Sequence, residues 1–214
     1  MGTRILRQTQ DKFTQIIRIN IPIKNYQHME EIMAHLHIPK TAPTTAEICK
    51  KAGITLKKFK RPEAFEKEVV KFIKNNDIVH LATSKGDTPR CTPLGYKNIG
   101  MTLYILSEGG GKFANLMANP KVCYSIACRV RGARGLQNVQ GLQCWGKAEV
   151  ISMKKNAEEF KKLMLLWGKI GKKFEKQGPK ALPPYHFRII KIVPSRIRLL
   201  NLHDGIDNVT WTKR

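Results

Sequence analysis

The chain has 214 residues, 42% hydrophobic and 26% charged, which suits one full-sized core with room for a small extra module and excludes wholesale disorder. Its 39 Lys and Arg against 16 Asp and Glu leave a formal charge of +23, a field that draws phosphates, nucleic acids and acidic surfaces without choosing among them. No apolar run approaches the roughly 18 to 20 residues of a membrane helix, and the opening MGTRILRQTQDKF lacks the apolar core and cleavage site of a secretory signal, so a cytoplasmic location is expected.

A division is expected at Arg61-Pro62, with a helical N-terminal extension over 1–62 and a β-rich domain over 63–214. In the extension, a helix is predicted around Tyr26–Leu36, then the breaker segment Pro39–Pro43, then a helix from about Thr45 to Lys51. The run Thr45–Phe59 also has the pattern of a helix-turn-helix: small Cys49, Gly53 four residues on, and Ile54 and Phe59 at packing positions. Lys57, Lys58, Lys60 and Arg61 follow, and residues 1–62 carry 12 basic against 4 acidic residues. Nucleic acid is therefore a candidate partner through residues 44–61. Against it, Pro62 cuts the second helix short and only lysines would face the bases. The plainer alternative is an extension packed on the domain that follows.

Beyond Pro62 the pattern is denser. Glu63–Asn75 puts Phe65, Val69, Phe72 and Ile73 on one helical face. Strands are predicted at Ile78–Ser84 and Arg90–Tyr96, joined by the turn Lys85–Pro89, and at Thr102–Leu106 after a reversal at Asn98–Gly100. A glycine loop then opens a helix over Lys112–Met117, closed by Asn119-Pro120. Val122–Ala127 is a strand, Arg129–Gly135 a basic loop, Leu142–Ile151 a strand and Asn156–Phe174 one amphipathic helix. Phe187–Val193, Arg196–Leu202 and Val209–Thr212 close the series, the last two joined through Asp204-Gly205. Short strands without a strand–helix alternation point to a mainly β, α+β fold built on an antiparallel barrel with flanking helices.

The stretch Leu81–Pro120 carries the chemistry. Gly109-Gly110-Gly111 precedes Lys112 at the start of a helix, where free backbone amides and an ammonium can cradle a phosphate. Without a leading glycine at the right spacing and a hydroxyl residue after Lys112, it is not a Walker loop. A dinucleotide fingerprint is also missing. The five cysteines form no C-x-x-C pair, and Cys91, Cys123 and Cys144 read as small apolar residues in strands. The six histidines, His35 and His37 included, have no ligand cluster around them, so no metal is expected.

The runs Ile78–Tyr96 and Thr102–Pro120, followed by Leu142-Gln-Cys-Trp-Gly-Lys-Ala-Glu-Val150 and Pro194-Ser-Arg-Ile-Arg198, resemble the pyridoxamine 5'-phosphate oxidase-related, FMN-binding split-barrel family over about Phe65–Trp211. The resemblance implies an FMN cofactor, a homodimer, and oxidoreductase or electron-transfer chemistry with a small-molecule redox substrate or electron donor. It puts Arg90, Thr92, Pro93 and Leu94 on the strand lining the flavin, and Ser107, Gly111 and Lys112 at its phosphate. Gln143 and Trp145 fall on the strand that closes over the cofactor from the partner subunit. No catalytic acid or base is assigned. Authentic pyridoxamine-phosphate oxidases carry Arg-Leu-His-Asp-Arg where this chain has Asn201-Leu-His-Asp-Gly205, so pyridoxamine phosphate is not the expected substrate. Split barrels also bind haem or a deazaflavin. The competing function is a DNA-binding regulator with a flavin- or haem-sensing barrel.

Overall fold

The structure is a computed structural model that describes residues 34–128, 135, 138–178 and 187–213. Most of the expected helix over Tyr26–Leu36 and of the basic loop Arg129–Gly135 therefore lies outside the described residues.

The elements in chain order are β1 (Ala34–His37), α1 (Pro43–Lys51), α2 (Pro62–Lys74), β2 (Ile78–Lys85), β3 (Thr88–Gly95), β4 (Lys97–Ile99) and β5 (Thr102–Ser107). Then come α3 (Gly111–Ala118), β6 (Lys121–Ala127), β7 (Gln140–Ser152), α4 (Ala157–Met164), α5 (Lys169–Gln177), β8 (Arg188–Asn201) and β9 (Ile206–Lys213). The strands form one antiparallel sheet in the order β1-β9-β8-β7-β6-β2-β3, with β5 added to β8 and β4 to β5. β7 runs beside the whole of β8. On its other edge β8 divides its pairing, with Arg188–Ile192 on β5 and Arg196–Asn201 on β9. No pairing joins β3 to β5 among the described residues, so the sheet curls into a barrel that stays open along that seam. This is a split barrel.

Inside the barrel, strand alternation brings apolar residues together. Val79, Leu81, Tyr124, Ile126, Leu142, Cys144, Ile197 and Leu199 share the inner face. α2 closes one end with Phe65, Val69, Phe72 and Ile73, and the buried Tyr96 Oη donates to the Ile73 carbonyl at 2.7 Å. A second, smaller core lies outside the sheet. There Phe160, Leu163, Met164 and Phe174 cover Tyr104, Ile151 and Ile189.

Four expectations change. Ala34–His37 is a strand paired with β9, because Ala34 and Leu36 alternate onto the core while His35 and His37 face out. The helix-turn-helix lacks its second helix, since α1 ends at Lys51, Gly53 takes φ 67° and residues 54–60 run without helix. That segment packs on the barrel instead. Lys57 N–H donates to Gly205 O at 2.8 Å, and Phe59 meets Phe65 edge-on at 5.2 Å.

The single helix expected over Asn156–Phe174 is two, folded back on each other at Gly168 with φ 58°. Gly171 permits the contact, for a Cβ there would fall 2.1 Å from Met164 O, and Phe160 then packs edge-on to Phe174 at 5.6 Å. Finally, the two strands Phe187–Val193 and Arg196–Leu202 are one, and Pro194 sits at a bulge opposite Trp145-Gly146 rather than at a break. Gly146 is needed there, because a Cβ would fall 2.4 Å from Val193 O.

Candidate functional site

The glycine loop opens a helix, as the sequence suggests. Gly110, at φ 101°, turns the chain into α3, and Lys112 sits in the first turn with only 8% of its surface exposed. Its Nζ donates to the Gly109 carbonyl, which leaves two of its three protons free to point elsewhere. Burial pushes the Lys112 pKa down, the charge of Arg90 pushes it the same way, and Glu108 opposes both. Arg90 comes from β3, where it lies opposite Thr83. Its Nη1 stands 3.4 Å from the point a Cβ on Gly111 would occupy, so the guanidinium lies directly over the start of the helix. Two amides fasten α3 to β2: Asn115 Nδ2 donates to Thr83 Oγ1 at 3.1 Å, and Asn119 Nδ2 donates to Ser84 Oγ at 3.3 Å.

A third cation reaches this corner that the sequence reading did not single out. Arg188 opens β8 opposite the buried Ser107 of β5, and its Cζ lies 4.7 Å from the centroid of the Phe113 ring. Lys112 Nζ lies 5.1 Å from the same centroid. None of Arg90, Lys112 and Arg188 forms an ion pair with a carboxylate among the described residues. One sequence signal for Arg188 exists: it has the parity of Ile190 and Ile192, which are both fully buried in the barrel. A charge at an inward position of an apolar strand calls for an explanation.

The other expected site residues divide by face. Thr92 and Leu94 lie opposite Leu81 and Val79, on the inward face with Arg90. Pro93 lies opposite His80 and faces away, so strand alternation removes it from the group that faces α3. Gln143 and Trp145 also face away, on the outer side of β7. Gln143 lies between Ser125 and Arg198, and Trp145 between Cys123 and Arg196. Within the chain neither shares a face with Arg90. Trp145 is 37% exposed, with the Arg196 guanidinium 4.8 Å over its ring and Ser195 Oγ donating to its carbonyl at 3.1 Å. An open cleft of about 940 Å³ beside it is lined by Pro120, Val122, Ala148, Val193 and Pro194, with Lys121, Lys147 and Lys213 also along it.

The Asn201–Gly205 turn is occupied by the chain's own contacts. Asn201 Oδ1 accepts from Asp204 N–H at 3.2 Å, and Asp204 pairs with Lys71 at 3.0 Å. Burial alone would raise the Asp204 carboxyl, but the hydrogen bond and charge of Lys71 outweigh it and hold the pKa below its usual value. Gly205 has φ 72°, and a Cβ there would fall 2.2 Å from Thr55 O. An arginine at 205 would have to displace residues 55–57. All five cysteines are free, and burial pushes the Cys144 thiol up to about 12. No group of His, Cys, Asp and Glu fit for a metal occurs among the described residues, and no helix there is long and apolar enough to cross a membrane.

The family profile described as pyridoxamine 5'-phosphate oxidase matches residues 65–201. No curated protein matches. Among solved structures, a Listeria innocua protein provisionally described as a pyridoxamine 5'-phosphate oxidase is 25% identical, covering 64% of this chain and 98% of its own at a TM-score of 0.48. A conserved hypothetical protein of Mycobacterium tuberculosis is 18% identical, covering 65% of this chain and 86% of its own at 0.52. A haem-binding protein of Mycobacterium smegmatis is 14% identical, covering 69% of this chain and 57% of its own at 0.50. The last two share the fold. The profile takes in every strand from β2 to β8 together with the glycine loop, and the chain belongs to the pyridoxamine 5'-phosphate oxidase-like, FMN-binding split-barrel family.

Proposed function

We propose that this protein binds FMN at the α3 corner of the barrel and works, as a homodimer, as an FMN-dependent oxidoreductase or electron-transfer protein. The observation that carries the reading is the meeting of Arg90 and Lys112 at a glycine-bordered helix start, where no carboxylate forms an ion pair with either among the described residues and Glu108 acts on Lys112 only through its charge. Like charges brought together beside free amides are what a phosphate group relieves. The residues therefore fit the cofactor. Lys112, Arg90, Ser107 and the amide of Gly111 would hold its phosphate, and Thr92 and Leu94 would border its ring system. FMN, when bound, supplies hydride or electron transfer. This chain's part is to bind it, orient it and keep water from it; no side chain is given the role of acid or base.

Members of the family are often dimers, and the outer face bearing Gln143, Trp145, Arg196 and Arg198 is the surface proposed to meet a second copy across a two-fold axis. From there Gln143 and Trp145 would approach the partner's flavin. The substrate is proposed to be a small redox molecule or electron donor other than pyridoxamine phosphate, since Gly205 has no room for the arginine that would hold its phosphate. Five free thiols suit a reducing compartment such as the cytoplasm.

The test is a visible spectrum of the protein purified after incubation with FMN, followed by titration of the flavin-free form. Flavin bands retained through gel filtration and a saturable titration are expected. A protein that emerges colourless at millimolar FMN, or that carries a Soret band instead, would remove the reading.

A further inference from the structure

Resting on the flavin site proposed above, we infer that Arg188 is the third arm of that site and makes it selective for a terminal phosphate monoester, so that FMN is taken in preference to riboflavin or FAD. Arg188 is an anomaly in its strand. Ile190 and Ile192, which follow it on the inward face of β8, are fully buried among apolar neighbours. Its partners across the sheet are Ser107 on β5 and Ser152 on β7, neither of which can balance a charge. The guanidinium lies against Phe113, itself 3% exposed, and Lys112 lies against the same ring. Arg90 approaches from β3 over Gly111. Three separate stretches of chain thus bring Arg90 to Gly111 and both Arg188 and Lys112 to the Phe113 ring, and no acidic side chain forms an ion pair with any of them among the described residues, Glu108 acting on Lys112 only through its charge.

The number of charges is what selects the ligand. A phosphate monoester carries nearly two negative charges at neutral pH and has three free oxygens, enough for a planar guanidinium fork on one side and an ammonium on another. Riboflavin has no phosphate. In FAD each phosphate bears a single charge and is bridged, so a corner that surrounds a terminal phosphate loses both charge and fit. Lys112 and Arg90 alone form a site that any anion could satisfy. Arg188 adds a third positive charge and a second guanidinium fork, which a doubly charged group with three free oxygens uses more fully than a singly charged, bridged one.

The experiment titrates FMN, riboflavin and FAD into the wild-type protein and the Arg188→Ala, Arg188→Gln and Arg188→Lys variants, following flavin fluorescence, with thermal melts of the flavin-free proteins alongside. In the wild type, FMN should bind at least tenfold more tightly than riboflavin and FAD. Arg188→Ala should weaken FMN on the order of 10- to 100-fold, the range for one charged hydrogen-bonding partner, while leaving riboflavin unchanged. Arg188→Lys should recover part of the loss. Should the alanine variant not fold, Arg188→Gln keeps the length of the side chain and carries the same expectation. Equal weakening of FMN and riboflavin would make Arg188 a packing residue and overturn the inference, as would unchanged FMN affinity. A wild-type protein that binds FMN no better than riboflavin would overturn it too, leaving the flavin site standing. Failure of the wild type to bind any flavin would strike down the site itself.

Discussion

On the outer face of the β7–β8 ribbon, the half containing Ile151 and Ile189 lies beneath the α4–α5 hairpin, while the half containing Gln143, Trp145, Arg196 and Arg198 is bare of any described element. The two halves belong to the same pair of strands and differ in what their outward positions offer. Under the hairpin, Ile151 and Ile189 are fully buried with Phe160, Met164 and Phe174, as in any dry core. The bare half presents one tryptophan among arginines and a glutamine, a mixture that suits a wet interface better than a core. The difference teaches that a long ribbon can divide its outer surface between intramolecular packing and an exposed face, here the one proposed for association, with the bulge at Trp145-Gly146 close to the border.

The largest expected effect lies in the covered half. Phe160→Ala should cost about 3–5 kcal/mol in urea denaturation, because it removes a fully buried ring packed edge-on against Phe174 and leaves a cavity there. A loss below about 1 kcal/mol would mean that the hairpin is not part of the cooperative unit.

The proposed flavin corner comes next. Lys112→Ala should weaken FMN on the order of tenfold or more with little loss of folding stability, since the lysine it removes is a desolvated cation repelled by Arg90. Calorimetric FMN titration paired with a thermal melt separates the two quantities. A drop in stability equal to the loss in binding would assign Lys112 to the fold.

In the bare half, Trp145→Glu should shift the proposed dimer toward monomer by about 2 kcal/mol of association, or about thirtyfold in dissociation constant. Sedimentation at high salt, which screens the +23 charge, is the measurement, and an unmoved equilibrium would transfer the interface elsewhere.

The smallest effect concerns the tie between α2 and the β8–β9 turn. Asp204→Asn should cost no more than about 0.5–1 kcal/mol at pH 7, because Lys71 is more than half exposed and the pair is screened. The Asp204 carboxyl is held below its usual 3.8, so its contribution is present above that value and fades as pH falls through the lower folded value. Lys71 is held above its usual 10.5, so its share is lost only as pH rises past that. Urea midpoints of variant and parent should therefore converge in acid and differ most near neutrality.

The strands β2, β3 and β5 to β7, helix α2 and the helix start after the glycine loop were legible because their periodicity and turn residues agree with the packing they achieve, whereas the three residues of β4 read as part of a reversal. Where local pattern and tertiary demand part company, the reading fails. The four residues of β1 are too few to show a period, and they become a strand because β9 has an edge to fill. Lysines and leucines keep helical spacing straight through Gly168, so the α4–α5 reversal is visible only in the close approach of Gly171 to Met164. Pro93 was readable: one step of alternation separates it from Thr92 and Leu94 on the other face. Arg188 needed the fold, because only the pairing of β5 with β8 brings it to Phe113.

The double allegiance of β8 bears on how the protein is made. β5, β7 and β9 all pair with a strand that begins at residue 188, so synthesis must pass that residue before the barrel can join its two sides. Until then β5 and β7 carry unclaimed edges of the kind that invite pairing between nascent chains. Dependence on chaperones during synthesis, and poor solubility of any fragment ending before residue 188, follow from that order of events and can be read from expression of a 1–187 fragment.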